Sequence, residues 1–140
     1  MKKNKIVLAK VGLDGHDNGI RIVSKWLMDD GYEVVYAGLY NTPERVIRMA
    51  VEEDADAIGV SFLGGEHLFY ARKFISLLNM ENAPDVRFMI GGVIPPVDVE
   101  ELKSMGVDAV FTPGTRRDAL LIRVGDVIGG KSEPRGRAKS

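Results

Sequence analysis

Apolar positions along the chain come in short unbroken runs, separated by longer stretches in which they recur with helical spacing. The run Ile6-Val7-Leu8-Ala9 marks a buried strand. A glycine-rich turn from Gly12 to Gly19 follows. A helix then carries Ile20, Val23 and Leu27 on one face, with Ile22 and Trp26 alongside, and Gly31 is its natural stop. Val34-Val35-Tyr36 predicts a second strand. Thr42-Pro43 predicts a helix start, with the hydroxyl as cap and proline at the first helical position, and Val46, Ile47, Ala50 and Val51 form its buried face. Ala57-Ile58-Gly59-Val60 is a third strand, and the next helix places Leu68, Ala71, Ile75 and Leu78 on one side. A fourth strand, Val86 to Ile90, ends at Gly91-Gly92. Asp98 and Glu101 stand at capping-box spacing before a helix with Val99, Leu102 and Met105. Asp108-Ala109-Val110-Phe111 is a short fifth strand, and Thr115 and Asp118 are candidate caps for a last helix to about Ile128.

Five strand–helix units in alternation predict an α/β fold with a parallel sheet and helices on both faces. Crossovers should be right-handed. A flavodoxin-like (Rossmann-like) strand order, 2-1-3-4-5, is expected in preference to half of a Rossmann unit. Ligands of such sheets bind outside the carboxyl ends of the strands, at the switch point between strands 1 and 3. One domain is expected over residues 1–128. Residues 129–140 are Gly, Pro, Ser and basic residues with few apolar ones, which predicts a disordered tail.

Composition narrows the chemistry. The chain has 140 residues with 45% hydrophobic and 28% charged, ordinary for one globular domain. A net charge of −1 points to neither nucleic acid nor a membrane surface. There is no cysteine, which removes disulfides, thiolate metal sites and thiol nucleophiles together. No apolar run approaches the roughly 18 residues of a membrane span, and the one after the basic N-terminus is too short for a signal peptide. A cytoplasmic protein is the default expectation.

Four loops follow the carboxyl ends of strands: Lys10 to Gly19, Ser61 to Gly65, Gly91 to Pro95, and Thr112 to Thr115. Glycine recurs in them, and glycine lets a backbone approach a bulky ligand closely. The ligand implied touches all four loops and is therefore large. His16 is the side chain there with transition-metal affinity. One ring nitrogen would bind the metal; the other N–H needs an acceptor, and Asp14 is a candidate, with Lys10 balancing the carboxylate. One histidine does not build a tetrahedral zinc site. It suits a metal already held by a macrocycle, to which the protein supplies one axial position. The plainer readings stand beside this one. A lone loop histidine is ordinarily just solvated. The spacing Gly12-x-x-Gly15-x-x-x-Gly19 is neither a dinucleotide fingerprint nor a P-loop, yet a phosphate on the first helix competes on physical grounds. Thr112 and Thr115 serve equally as turn and cap residues. His67 reads as a surface residue, and Tyr32, Tyr36 and Tyr40 as packing.

Asp14-x-His16-x-x-Gly19, then Ser61-x-Leu63, then Gly91-Gly92, resembles the signature of cobalamin-binding domains. The string Ala9 to Asp17, together with Gly91-Gly92-Val93-Ile94-Pro95 and Pro113-Gly114-Thr115, is similar to the acyl-CoA mutase branch, typified by methylmalonyl-CoA mutase. The likeness runs from about Lys5 to Ile128. It implies that His16 is the lower axial ligand of the cobalt of adenosylcobalamin, displacing the cofactor's own base, with Asp14 and Lys10 as the relay behind it. It implies that Gly15 and Gly19 make room for the displaced nucleotide tail. Ser61, Leu63, Gly65, Gly91 and Gly92 would line the tail's pocket, and Thr112 and Thr115 would contact its far end. Gly64 departs mildly from the serine of many relatives.

In this family the chemistry occurs against a (β/α)₈ barrel that binds the acyl-CoA, and such a barrel needs about 250 residues. A chain of 140 residues is therefore expected to bind cofactor and be inactive alone, either as a separately encoded small subunit, the favoured reading, or as one domain of a larger protein. The resemblance implies a separate barrel subunit as partner, and a G-protein chaperone as a further one. The reaction implied is Co–C homolysis, hydrogen abstraction and a carbon-skeleton 1,2-rearrangement, an isomerisation. A corrinoid carrier for methyl transfer is the alternative, although such proteins usually carry a helical domain upstream. A cobalamin sensor or chaperone is another. A signalling receiver of the same fold would need a phosphorylatable Asp after strand 3, where this chain has Ser61.

Overall fold

The computed structural model describes residues 4–12, 18–62, 65–80 and 85–130. Strands β1 (Lys5–Val11), β2 (Glu33–Asn41), β3 (Ala57–Phe62), β4 (Arg87–Gly92) and β5 (Ala109–Phe111) alternate with helices α1 (Asn18–Asp29), α2 (Pro43–Glu52), α3 (His67–Met80), α4 (Pro96–Ser104) and α5 (Arg117–Gly129). The strands form one sheet in the order β2-β1-β3-β4-β5, every pair parallel. This is the expected flavodoxin-like arrangement, with the switch point between β1 and β3.

Each central strand is apolar on both faces because each face is covered. Val7, Ala9, Ile58, Val60, Phe88 and Ile90 face α2, α3 and α4, where Phe74 stacks on Phe88 with ring centroids 4.8 Å apart. Ile6, Leu8, Ala57, Met89 and Ala109 face α1 and α5, against Leu27, Leu120 and Val124. Among the described residues no helix is long and apolar enough to cross a membrane.

Several local expectations are corrected. β2 runs to Asn41, well beyond Tyr36, because its pairing with β1 continues past irregularities after Leu8 and Ala9. Thr42 does cap α2, its Oγ1 accepting the Arg45 N–H at 3.2 Å. Asp98 does not cap α4. The helix starts earlier, at Pro96 after Pro95, and Asp98 sits in its first turn. Pro95, at the N-cap position, has no side-chain oxygen to accept a helical N–H, so the start stands without a side-chain cap. Thr115 does not cap α5 either: Arg116 holds that position, and Thr115 Oγ1 donates to the Thr112 carbonyl at 2.6 Å to close the preceding turn. The buried face of α3 is His67, Ala71, Phe74 and Leu78, while Leu68 and Ile75 lie at its flanks. His67 is thus a buried residue and not a surface one, 3% exposed, with Nε2 2.7 Å from Asp98 Oδ2. Tyr40, expected in packing, is exposed.

Candidate cofactor-binding site

Side chains alternate along each strand, so one face of the sheet can be followed toward its carboxyl edge. On the face toward α1 and α5, β1 presents Leu8 then Lys10, β3 presents Gly59 then Ser61, and β4 presents Met89 then Gly91. Gly59 and Ser61 on β3 and Gly91 on β4 keep this floor low toward the edge. The helices do not follow the floor down. A groove of about 690 Å³ therefore opens between the sheet, α1 and α5. Ile22, Val23 and Trp26 of α1 form one wall, Leu120 and Val124 of α5 the other, and Phe111 with the turn from Thr112 to Thr115 closes the β5 side. The walls are mainly apolar.

Two glycines make the groove and its rim possible. A Cβ on Gly59 would stand 2.7 Å from Leu8 Cδ2 in the floor. Gly92 has φ +120°, and a Cβ there would fall 1.7 Å from the Phe62 carbonyl oxygen. That oxygen accepts the Val93 N–H at 3.0 Å, so the ends of β3 and β4 are drawn together at the groove's mouth.

Lys10 is 1% exposed, and its ammonium donates to the Ser61 carbonyl at 3.1 Å across the β1–β3 switch point. A buried ammonium is tolerated only where oxygens replace its water. Of the residues expected from the sequence, Lys10, Gly19, Ser61, Gly91, Gly92, Thr112 and Thr115 all border this groove. Gly19 stands in the first turn of α1, and a Cβ there would meet nothing within 4 Å among the described residues. Gly65 is exposed in the turn before α3, at φ +87°, and is not part of the groove wall. Asp14, Gly15, His16 and Leu63 lie outside the described residues. Sequence reasoning missed the α1 wall as a site. The spacing of Ile22 and Trp26 signalled only a helical face. It also missed Gly59, although a glycine inside a strand marks a close approach of ligand or backbone.

A family model described as the B12 binding domain matches residues 4–122. The chain belongs to the B12-binding domain family. This B12-binding domain is 39% identical over 124 residues to the 2-hydroxyisobutanoyl-CoA mutase small subunit of Aquincola tertiaricarbonis, covering 89% of this chain and 91% of that one. It is also 39% identical over 127 residues to human mitochondrial methylmalonyl-CoA mutase, covering 91% of this chain but 17% of that protein's length. Among solved structures, a cobalamin-binding protein from Desulfitobacterium hafniense superposes with a TM-score of 0.77 at 25% identity, over 90% of this chain and 60% of that one.

The geometry fits the cofactor. A deep, mostly apolar groove with small residues in its floor admits a planar heterocycle and its sugar-phosphate arm. It lies at the sheet edge from which the Asp14-x-His16 segment departs after Gly12.

Proposed function

We propose that this chain is the cobalamin-binding small subunit of an adenosylcobalamin-dependent acyl-CoA mutase, taking the cofactor with its own base displaced and His16 on cobalt. A separate (β/α)₈-barrel subunit would bind the acyl-CoA and complete the catalytic site, with a G-protein chaperone as a further partner. The observation that carries this reading is the groove. With His16 on cobalt the displaced nucleotide tail would need a slot, and the groove between α1, α5 and the carboxyl edge of β1, β3 and β4 supports that reading. The mutase reading is supported by the 91% coverage of a relative that is itself a mutase small subunit.

When bound, cobalamin supplies the radical chemistry; the protein's part is binding, orientation and axial electronics. Gly59, Ser61 and Gly91 give the groove its floor, and Ile22, Trp26 and Phe111 give it apolar walls. His16 would present one ring nitrogen as ligand while Asp14 accepts the N–H of the other, fixing the tautomer. Lys10 would place a positive charge behind that carboxylate. The test is a titration with adenosylcobalamin followed by the visible spectrum. A base-off, histidine-on spectrum is expected. His16→Ala should keep the fold and lose the histidine–cobalt bond; an unchanged spectrum in that variant overturns the proposal. Turnover of an acyl-CoA only after a barrel subunit is added separates a mutase subunit from a cofactor sensor.

A further inference from the structure

Asn41 ends β2 at the carboxyl edge of the sheet and is 4% exposed, a polar side chain where the strand pattern calls for an apolar one. Its Nδ2 lies 2.9 Å from the Gly38 carbonyl oxygen, 3.0 Å from that of Lys10 and 3.4 Å from that of Ala37. Its own carbonyl accepts the Gly12 N–H at 3.0 Å. Three carbonyl oxygens around one terminal atom require that atom to be the amide nitrogen, since only it donates. The same residue therefore holds both sides of Val11, the last residue of β1.

The chain bends for this. Gly38 has φ +86° and Tyr40, without glycine's freedom, has φ +61°. A side-chain-bearing residue in that region carries backbone strain. The pairing of β1 with β2 slips twice before Val11 meets Asn41. The bends bring the Asn41 amide under the Lys10 carbonyl. On the other side, the Lys10 ammonium reaches Ser61 of β3. Lys10 is thus gripped through its backbone by β2 and through its side chain by β3, immediately before the segment that carries Asp14 and His16.

We propose that Asn41 is a positioning residue for the axial ligand. Acting through Lys10 and Gly12, it sets the direction in which β1 leaves the sheet, and with it the presentation of His16 to cobalt. The inference rests on the reading of His16 as the cobalt ligand and goes beyond it, because Asn41 does not line the groove and acts through Lys10 and Gly12. Asn41→Asp keeps the size of the side chain and puts a carboxylate oxygen against three carbonyls.

The experiment is a double-mutant cycle. Wild type, Asn41→Asp, His16→Ala and the double variant are each titrated with adenosylcobalamin, reading affinity and the histidine-on fraction from the visible spectrum, with circular dichroism and melting temperature as fold controls. Asn41→Asp is expected to lower affinity roughly 10–100-fold, the scale of groups that orient a ligand, and to lower the histidine-on fraction. In the His16→Ala background it should add little, since both changes remove one interaction. A full histidine-on spectrum in Asn41→Asp, or losses that simply multiply in the double variant, overturns the proposal. If Asn41→Asp does not fold, Asn41→Ala removes the donor without adding charge and carries the same cycle. A wild type with no histidine-on spectrum overturns the underlying reading, and this inference with it.

Discussion

Gly91 and Gly92 are neighbours with opposite reasons for lacking a side chain. Gly91 faces the groove, and a Cβ there would meet the Phe111 backbone oxygen at an ordinary 3.7 Å and its Cβ at 4.0 Å. Gly91→Val should therefore fold, with stability within about 1 kcal/mol of wild type by urea denaturation, yet bind cobalamin roughly tenfold or more weakly because the slot is overfilled. Gly92 faces the Phe62 carbonyl in a left-handed conformation. Gly92→Ala should cost about 3 kcal/mol or more, from backbone strain and the forced separation of β3 and β4. Comparable stability losses in the two variants would count against this division. Asp14→Asn belongs at the same scale. It should weaken cofactor binding roughly 10–100-fold if it orients His16, and an unaltered titration would remove it from the relay.

Between elements, the informative contact is His67 with Asp98. It ties the first turn of α3 to the first turn of α4, just outside the place where Val93 bonds to Phe62. The two loops after β3 and β4 are thus pinned at both ends. His67 Nδ1 is buried without a hydrogen-bond partner among the described residues, and its Nε2 bond to Asp98 is a polar contact that offsets burial of the ring. Asp98→Ala should destabilise the domain by about 1–3 kcal/mol, the cost of stranding a buried polar group, measured as a lower urea midpoint at unchanged slope. Glu44 shows a weaker linkage on α2. The backbone N–H at the helix start, and then Lys73 at 3.3 Å, hold its carboxyl below the usual carboxylate range. The stabilisation is present above the ordinary carboxylate pKa and is lost as pH falls through the lowered value. Wild type and Glu44→Gln should therefore differ in melting temperature near neutrality and converge in acid.

For the whole molecule, cofactor binding and folding are one equilibrium. A ligand held at a hundred times its dissociation constant adds about 2.7 kcal/mol to stability, so saturating cobalamin should raise the melting temperature by several degrees. Cobinamide, a corrin without the nucleotide tail, separates two sources of that gain. If the groove between α1 and α5 takes the tail, cobinamide at the same concentration stabilises less. Equal shifts would place the tail elsewhere.

Much of this molecule is local information. Five apolar runs, each followed by a helical period, dictate a parallel sheet, because strands covered on both faces must be apolar throughout. The glycine-bearing loops all follow strands, so a parallel sheet necessarily gathers them along one edge. Lys10, Ser61, Gly91 and Thr112, named from the sequence, border one groove for that reason. The groove itself was not legible. Its depth is the sum of Gly59, Ser61 and Gly91, on two strands, seen against helices whose placement depends on register and packing. His67 read as a surface residue because its partner lies 31 residues away. Asn41 read as nothing, since its role depends on a slip in pairing with a strand 31 positions earlier. His16 began as a residue of a recognisable motif; the fold supplies a groove beside the strand that precedes that motif. Period and turn chemistry are written in neighbouring residues. Which polar group meets which across the sheet is decided only when register and layer packing are set.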